Sequence, residues 1–237
     1  MFTPSEIVAQ AGQVGGADLA QQRGTLAELA QICQAWGAAI ATLHTISTRR
    51  LPASLATRPR VLSPRRLMPS MRDAAGGSGY AAILEAYESS PDLRAAAIEV
   101  DQRWTEQHWI HGNLNASTVM VENQPALRVS FLDLENGGLG DPAWDLASAV
   151  DTITWLAPRW RTVAQPLVDY LILGYRRAGG PGRLYPAIQA VRALATAVWI
   201  AELPGERIRQ EAQDELELWL DRARAYAARV GWLMAVA

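Results

Sequence analysis

The chain has 237 residues, a formal net charge of −2, 19% charged and 49% hydrophobic residues, and nine Trp. That balance can bury a sizeable core, excludes wholesale disorder and a general nucleic-acid binder, and contains no apolar run of the roughly 18 residues a membrane helix needs. A single cysteine, Cys33, excludes an internal disulfide and fits a reducing cytoplasm.

The N-terminal stretch MFTPSEIVAQAGQ lacks the basic and apolar regions of a signal peptide. Residues 1–24 are expected as a flexible arm. Their glycine cluster, Gly12 to Gly16, has no β-branched strand beside it and does not read as a phosphate loop. From Thr25 the pattern changes. Leu26, Leu29, Cys33, Trp36, Ile40 and Leu43 recur at spacings of three and four, which predicts an amphipathic helix with Cys33 on its buried stripe. Thr25 with Glu28 forms a capping-box signature at its start. His44 ends the helix, either as a packed core imidazole or as a helix-end contact.

Residues 47–80 form a long irregular connection with seven Arg (49, 50, 58, 60, 65, 66, 72) against one acid, Asp73. Connections of this length are solvated surface or functional. The functional reading is an anion-facing patch, with Arg49, Arg50, Arg65 and Arg66 as candidate partner-binding residues. Helical signal resumes at 80–87 and at 91–107. Thr118 to Glu122 and Ala126 to Leu134 alternate about an Asn123-Gln124-Pro125 turn, which predicts a hairpin. Helices are then expected at 143–157, 160–178, 183–203 and 206–235. The Trp residues at 155, 160, 199, 219 and 232 read as core packing, and the acidic face of the last helix (Glu211, Asp214, Glu215, Glu217) as solvated.

Polar residues concentrate between Trp109 and Ala147. The segment WIHGNLNASTVMV runs into the first strand of the hairpin. The second strand ends at Asp133, a glycine-rich turn follows, and Gly140-Asp141-Pro142 opens a helix carrying Asp145. Asp141 is a natural N-cap with Pro142 at the first helical position. Asp145 falls on the face that turns back toward the hairpin. His44, His108 and His111 lack metal-ligand spacing, and one cysteine cannot support a Cys/His zinc site. There is no G-x-S-x-G elbow.

These blocks resemble the catalytic core of the aminoglycoside phosphotransferase and choline kinase group within the kinase fold. The pattern there is His-Gly-Asp-Leu-x-x-x-Asn, a strand with Ile-Asp-x-Glu, then Gly-Asp-Pro-x-x-Asp-Leu-Ala. Here the second and third blocks read Leu132-Asp133-Leu134-Glu135 and Gly140-Asp141-Pro142-Ala143-Trp144-Asp145-Leu146-Ala147, in the same order and spacing. The resemblance covers residues 25–237 and implies a mainly α (α+β) fold: a kinase-like C-terminal lobe, helical around one small hairpin, with the N-terminal lobe missing. It assigns a loop-orienting role to His111, a metal role to Asp133 with Glu135 beside it, and structural roles to Asp141 and Asp145.

The departures from the pattern are chemical. The catalytic-loop Asp that accepts the attacking hydroxyl's proton is Asn113 here, and the magnesium-binding Asn is Thr118. An amide is no base, a role typically worth about 10²–10⁴-fold. A threonine hydroxyl is a weak magnesium ligand, and Asn115 lies two residues after Asn113 rather than five. All 22 basic residues are Arg, so the strand lysine that contacts nucleotide phosphates is absent from this chain.

The reading that follows is a cytoplasmic pseudokinase, a binding or scaffold subunit of a peptide-modifying or other biosynthetic complex. Its partner would be another protein subunit, or a second copy in a homodimer, covering the surface the absent lobe leaves bare. No cofactor is expected on the chain alone. An alternative is a phosphotransferase completed by a nucleotide lobe from another chain, with Mg²⁺ and ATP or GTP held through Asp133, Glu135 and Thr118. A third is a non-catalytic binder of a small, antibiotic-like molecule. Replacing Arg65 and Arg66 together by Glu should abolish docking of an acidic partner, read as copurification from the native host. Unchanged recovery would remove the Arg-rich segment from the interface.

Overall fold

The computed structural model describes residues 17–49, 52–59, 61, 78–122, 126–201 and 206–236. The glycine cluster at 12–16, the turn at 123–125 and Arg50, Arg60, Arg65, Arg66 and Arg72 lie outside these residues. In chain order the elements are β1 (Ala17–Asp18), α1 (Leu26–His44), α2 (Ser78–Ser89), α3 (Pro91–Arg103), β2 (His108–Ile110), β3 (Val119–Glu122), β4 (Arg128–Phe131), β5 (Gly138–Gly140), α4 (Pro142–Leu156), α5 (Ala164–Arg177), α6 (Pro186–Ala201) and α7 (Glu206–Val236). Single 3-10 turns lie at Leu19–Gln21, Ala53–Leu55 and Leu134–Asn136. The chain divides into two compact units, Met1–Thr57 with Glu106–Arg183, and Arg58–Thr105 with Leu184–Ala237.

In the first unit, α1 starts at the capping box. The Thr25 hydroxyl accepts from the Glu28 N–H at 3.3 Å, and the Glu28 carboxylate accepts from the Thr25 N–H at 2.7 Å. The helix buries Leu29, Cys33, Trp36, Ile40 and Leu43 on one stripe, and of the six stripe residues expected only Leu26 is exposed. Burial pushes the Cys33 thiol up to about 12, so it behaves as a core hydrophobe.

β3 and β4 form the hairpin in antiparallel register, Val119 opposite Phe131 and Glu122 opposite Arg128. A third strand joins them from the stretch expected as an arm. Ala17 and Asp18 of β1 pair with Val121 and Met120 on the other edge of β3, and Leu19 just beyond is fully buried. A two-residue strand shows no alternation, so its pairing leaves no trace in the sequence.

The mainly α fold with its small hairpin is as expected, and a second, two-stranded sheet adds to it. β2 pairs antiparallel with β5, His108 opposite Gly140 and Ile110 opposite Gly138. Residues 104–107 accordingly leave the helix expected to run on to 107. The connection after α1 bridges to this ladder: Ala56 pairs in parallel with Leu139, and the Thr57 N–H donates to the Leu139 carbonyl at 2.8 Å.

Helices α1 and α5 pack along each other at close range through two glycines. A Cβ on Gly37 would lie 2.0 Å from the Leu171 carbonyl oxygen, and one on Gly174 would lie 2.0 Å from that of Gln34. Two reciprocal glycines, one on each helix, therefore set the separation. α4 packs against both helices and is buried along nearly its whole length.

In the second unit, α6 packs along α7, and α2 and α3 pack on both. Leu216, Trp219, Leu220 and Ala223 of α7 are buried on one face. Of the other Trp residues expected in the core, Trp160 of the first unit is buried and Trp155 half-buried, Trp199 is 56% exposed against that expectation, and the Trp232 side chain lies outside the described residues. No helix among the described residues is long and apolar enough to cross a membrane.

Gly37→Ala and Gly174→Ala should each destabilise the protein by about 1–3 kcal/mol, because the added methyl must push two helices apart. Urea midpoints measure this, and an unchanged midpoint would show that the crossing is loose.

Candidate functional site

The buried carboxylate of Asp145 organises the loop that follows β2. It lies in the first turn of α4, whose N-cap is Asp141; the Asp141 carboxylate accepts from the Ala143 N–H at 2.9 Å. Asp145 is fully buried and accepts three hydrogen bonds. The His111 N–H reaches Oδ2 at 2.7 Å, the Gly112 N–H reaches Oδ1 at 3.0 Å, and His44 Nε2 lies 3.0 Å from Oδ2. A buried carboxylate is tolerable when its lone pairs are satisfied this completely.

His44, at the C-terminus of α1, passes the network on. Its Nδ1 is 2.8 Å from the Tyr175 hydroxyl, which accepts from the Gly182 N–H at 2.7 Å. Burial raises the Tyr175 phenol well above its ordinary value, and the nearby Asp145 and Asp141 charges add to this against the opposing Gly182 bond. The phenol keeps its proton and donates it to His44 Nδ1, which leaves His44 to donate from Nε2 to Asp145. The backbone carbonyl of His44 in turn accepts from His108 Nδ1 at 3.0 Å.

The loop residues are held individually. Gly112 has φ +80°, and a Cβ there would lie 2.3 Å from the Asn136 carbonyl oxygen, so glycine is required twice over. Its carbonyl accepts from the Trp144 indole N–H at 2.9 Å. His111 is buried; its Nε2 donates to the Leu132 carbonyl at 2.7 Å and its Nδ1 accepts from the Asn113 N–H at 3.3 Å. Its ring also packs edge-on against Phe131. His111 thereby ties the start of the loop to the end of β4, directly before Asp133.

Asn113 is half-buried at the surface of this scaffold. Thr118, 2% exposed, faces inward: its hydroxyl accepts from the Asn115 N–H at 3.0 Å and lies 3.3 and 3.1 Å from the Asn113 and Asn115 carbonyls. The proton of that hydroxyl is committed to the loop. Asn115 is likewise engaged, accepting from the Ser117 N–H and hydroxyl and donating to the Asn113 carbonyl. Asp133 is exposed, at φ +56° in the left-handed region, where the chain turns out of β4. Glu135 is exposed two residues on, in the 3-10 turn.

Among the described residues, no group of three or more His, Cys, Asp or Glu side chains is placed to hold a metal ion. Asn113 offers an amide and Thr118 is turned inward, while the carboxylates of Asp133 and Glu135 are both exposed. Of the arginines singled out, Arg49 is described and exposed; Arg50, Arg65 and Arg66 lie outside the described residues.

The model of the Phosphotransferase enzyme family matches residues 12–187, well over half of the chain. The chain belongs to that family. The match begins before the helix at which the sequence resemblance starts and takes in β1. Solved structures share the fold of this phosphotransferase-family chain at low identity. The microcompartment-associated aminopropanol kinase has a TM-score of 0.56 and 20% identity over 91% of this chain and 66% of its own. A candidate aminoglycoside phosphotransferase from Ralstonia eutropha JMP134 has 0.57 and 16%, over 90% and 69%. Aminoglycoside-3'-phosphotransferase of type VIII has 0.50 and 16%, over 76% and 64%. The chain thus spans about two thirds of the length of these relatives. No curated protein matches it.

Sequence reasoning singled out His111 and Asp145 but missed Tyr175 and Trp144 and left His44 undecided. Trp144 adjoins Asp145 in the helix, and its only signal is that position. Asp145→Asn should destabilise the fold by about 1–3 kcal/mol, because the amide keeps one acceptor oxygen but turns its NH2 toward N–H donors that then lack a partner. Combined with His44→Ala the loss should be non-additive by at least about 0.5 kcal/mol. Denaturation of the four proteins of that cycle measures both, and strict additivity would separate the two side chains.

Proposed function

We propose that this family member is a pseudokinase, a phosphotransferase-type lobe that binds a partner or ligand without transferring phosphate. One observation carries the reading. The scaffold of the loop is assembled in full, yet the position where the family pattern has a proton-accepting Asp is the amide Asn113, and the Thr118 hydroxyl is spent inside the loop. Selection for a positioned loop without a base fits recognition rather than turnover. The chain then acts as a binding or scaffold subunit, in a peptide-modifying or other biosynthetic complex, and its partner is a protein subunit or a second copy. A surface of this kind keeps shape while dispensing with chemistry.

A second reading is favoured by Asp133. It is an exposed carboxylate at the end of β4, held by a left-handed backbone and adjacent to the Leu132 carbonyl that His111 grips. In a phosphotransferase completed by another chain, Asp133 and Glu135 would hold Mg²⁺ on the nucleotide, which neutralises phosphate charge. This chain's own part would be to position that carboxylate and the loop.

The two readings separate on the purified full chain. Incubation with Mg²⁺ and ATP or GTP, with aminoglycosides and amino alcohols as acceptors, should give no phosphotransfer and no nucleotide hydrolysis above the blank. Asp133→Ala should leave both at that level and leave recovery of copurifying proteins unchanged. Turnover by the wild type that Asp133→Ala abolishes would overturn the pseudokinase and establish the enzyme.

A further inference from the structure

Helix α5 has two faces. Leu167, Leu171 and Tyr175 are buried, whereas Val163 at its N-cap is 66% exposed, Tyr170 42% and Leu173 36%. With half-buried Pro166, these exposed residues run at spacings of three, four and three, a single apolar stripe flanking the buried face. Scattered exposed apolar residues need no account, but a continuous stripe along one helix marks a contact surface.

The border of the stripe says what would cover it. Asp169 and Arg176 are both exposed and stand seven residues apart, two turns along the same edge. Among the described residues Arg176 forms no ion pair, and Asp169 bonds only the Gln165 amide, at 2.8 Å. When two identical helices pack antiparallel about a twofold axis, each edge meets the same edge of its mate. An axis near Ile172 sets Tyr170 against Leu173 of the other copy, and Asp169 against its Arg176, each contact occurring twice. An acid and a base on one edge at reciprocal offsets are self-complementary, and an unrelated partner would require no such symmetry.

We propose that α5 is a homodimer interface, formed by its outer apolar stripe and closed by two reciprocal Asp169–Arg176 ion pairs. A helix of 14 residues offers less than the roughly 800 Å² per partner of a standard stable interface, so the dimer is weak and concentration-dependent. This surface is separate from the loop held by Asp145, so the proposal stands or falls apart from the functional reading.

Sedimentation velocity on the full chain, over a concentration series at low salt, tests it. The wild type should move from monomer to dimer with rising concentration, and Tyr170→Glu should remain monomeric. Asp169→Arg and Arg176→Asp should each weaken association by about tenfold or more, by placing like charges opposite each other. The double variant Asp169→Arg/Arg176→Asp should recover the dimer, and a mixture of the two single variants should form the heterodimer. Circular dichroism confirms that these surface variants fold. A wild type that stays monomeric throughout would overturn the proposal. So would a dimer indifferent to the charge substitutions, or one that the double variant fails to restore.

Discussion

Everything about the loop after β2 depends on one buried carboxylate with its lone pairs filled. Asp145 takes two backbone N–H groups from consecutive loop residues and one imidazole N–H from the end of α1. An unpaired charge at that depth would be costly, and so would two buried amides without an acceptor. Neither part is tolerable without the other, so loop and helix are specified together. The close crossing of α1 and α5 belongs to the same constraint. His44 lies two turns beyond Gly37 on α1, and Tyr175 directly follows Gly174 on α5. The glycines that let the backbones approach therefore also bring imidazole and phenol to 2.8 Å.

None of these scaffold bonds uses an atom that would react. His111, Gly112, Asp145, His44, Tyr175 and Trp144 fix where the loop runs, and Asn113 adds its backbone N–H and carbonyl to the loop's bonds rather than its side chain. The bonds that Asn113 makes within the loop run through its backbone, which an acid and an amide share. The family model matches residues 12–187, a span that includes the whole of this network together with an amide at position 113.

Local chemistry was legible in the sequence and remote chemistry was not. The capping box of Thr25 and Glu28, the Asp141 cap before Pro142 and the β3–β4 hairpin each involve residues close in sequence, where spacing encodes contact. The bond from His44 to Asp145 spans 101 residues and that from His44 to Tyr175 spans 131, and no periodicity reports such a meeting. β2 and β5 escaped because three residues, two of them glycine in β5, do not establish alternation. Trp199 misled for the opposite reason: it is apolar in an apolar helix, but α6 turns it outward. Composition sets how much must be buried, whereas packing decides which residue is left out.

Thr118 is bonded within the loop rather than turned out of it. As a candidate metal ligand it would need its oxygen turned outward; instead it closes the loop through the Asn115 N–H and the Asn113 and Asn115 carbonyls. Each such bond contributes about 0.5–1.5 kcal/mol net. Exchanging Asn113 for Asp would restore a carboxylate without restoring its companion. Exchanging Thr118 for Asn would bring back the companion's chemistry by sacrificing the hydroxyl that now closes the loop. The two departures from the family pattern thus differ in kind. At position 113 an amide stands where the pattern has an acid, and the bonds that residue makes run through its backbone; at position 118 the side-chain hydroxyl is itself bonded within the loop.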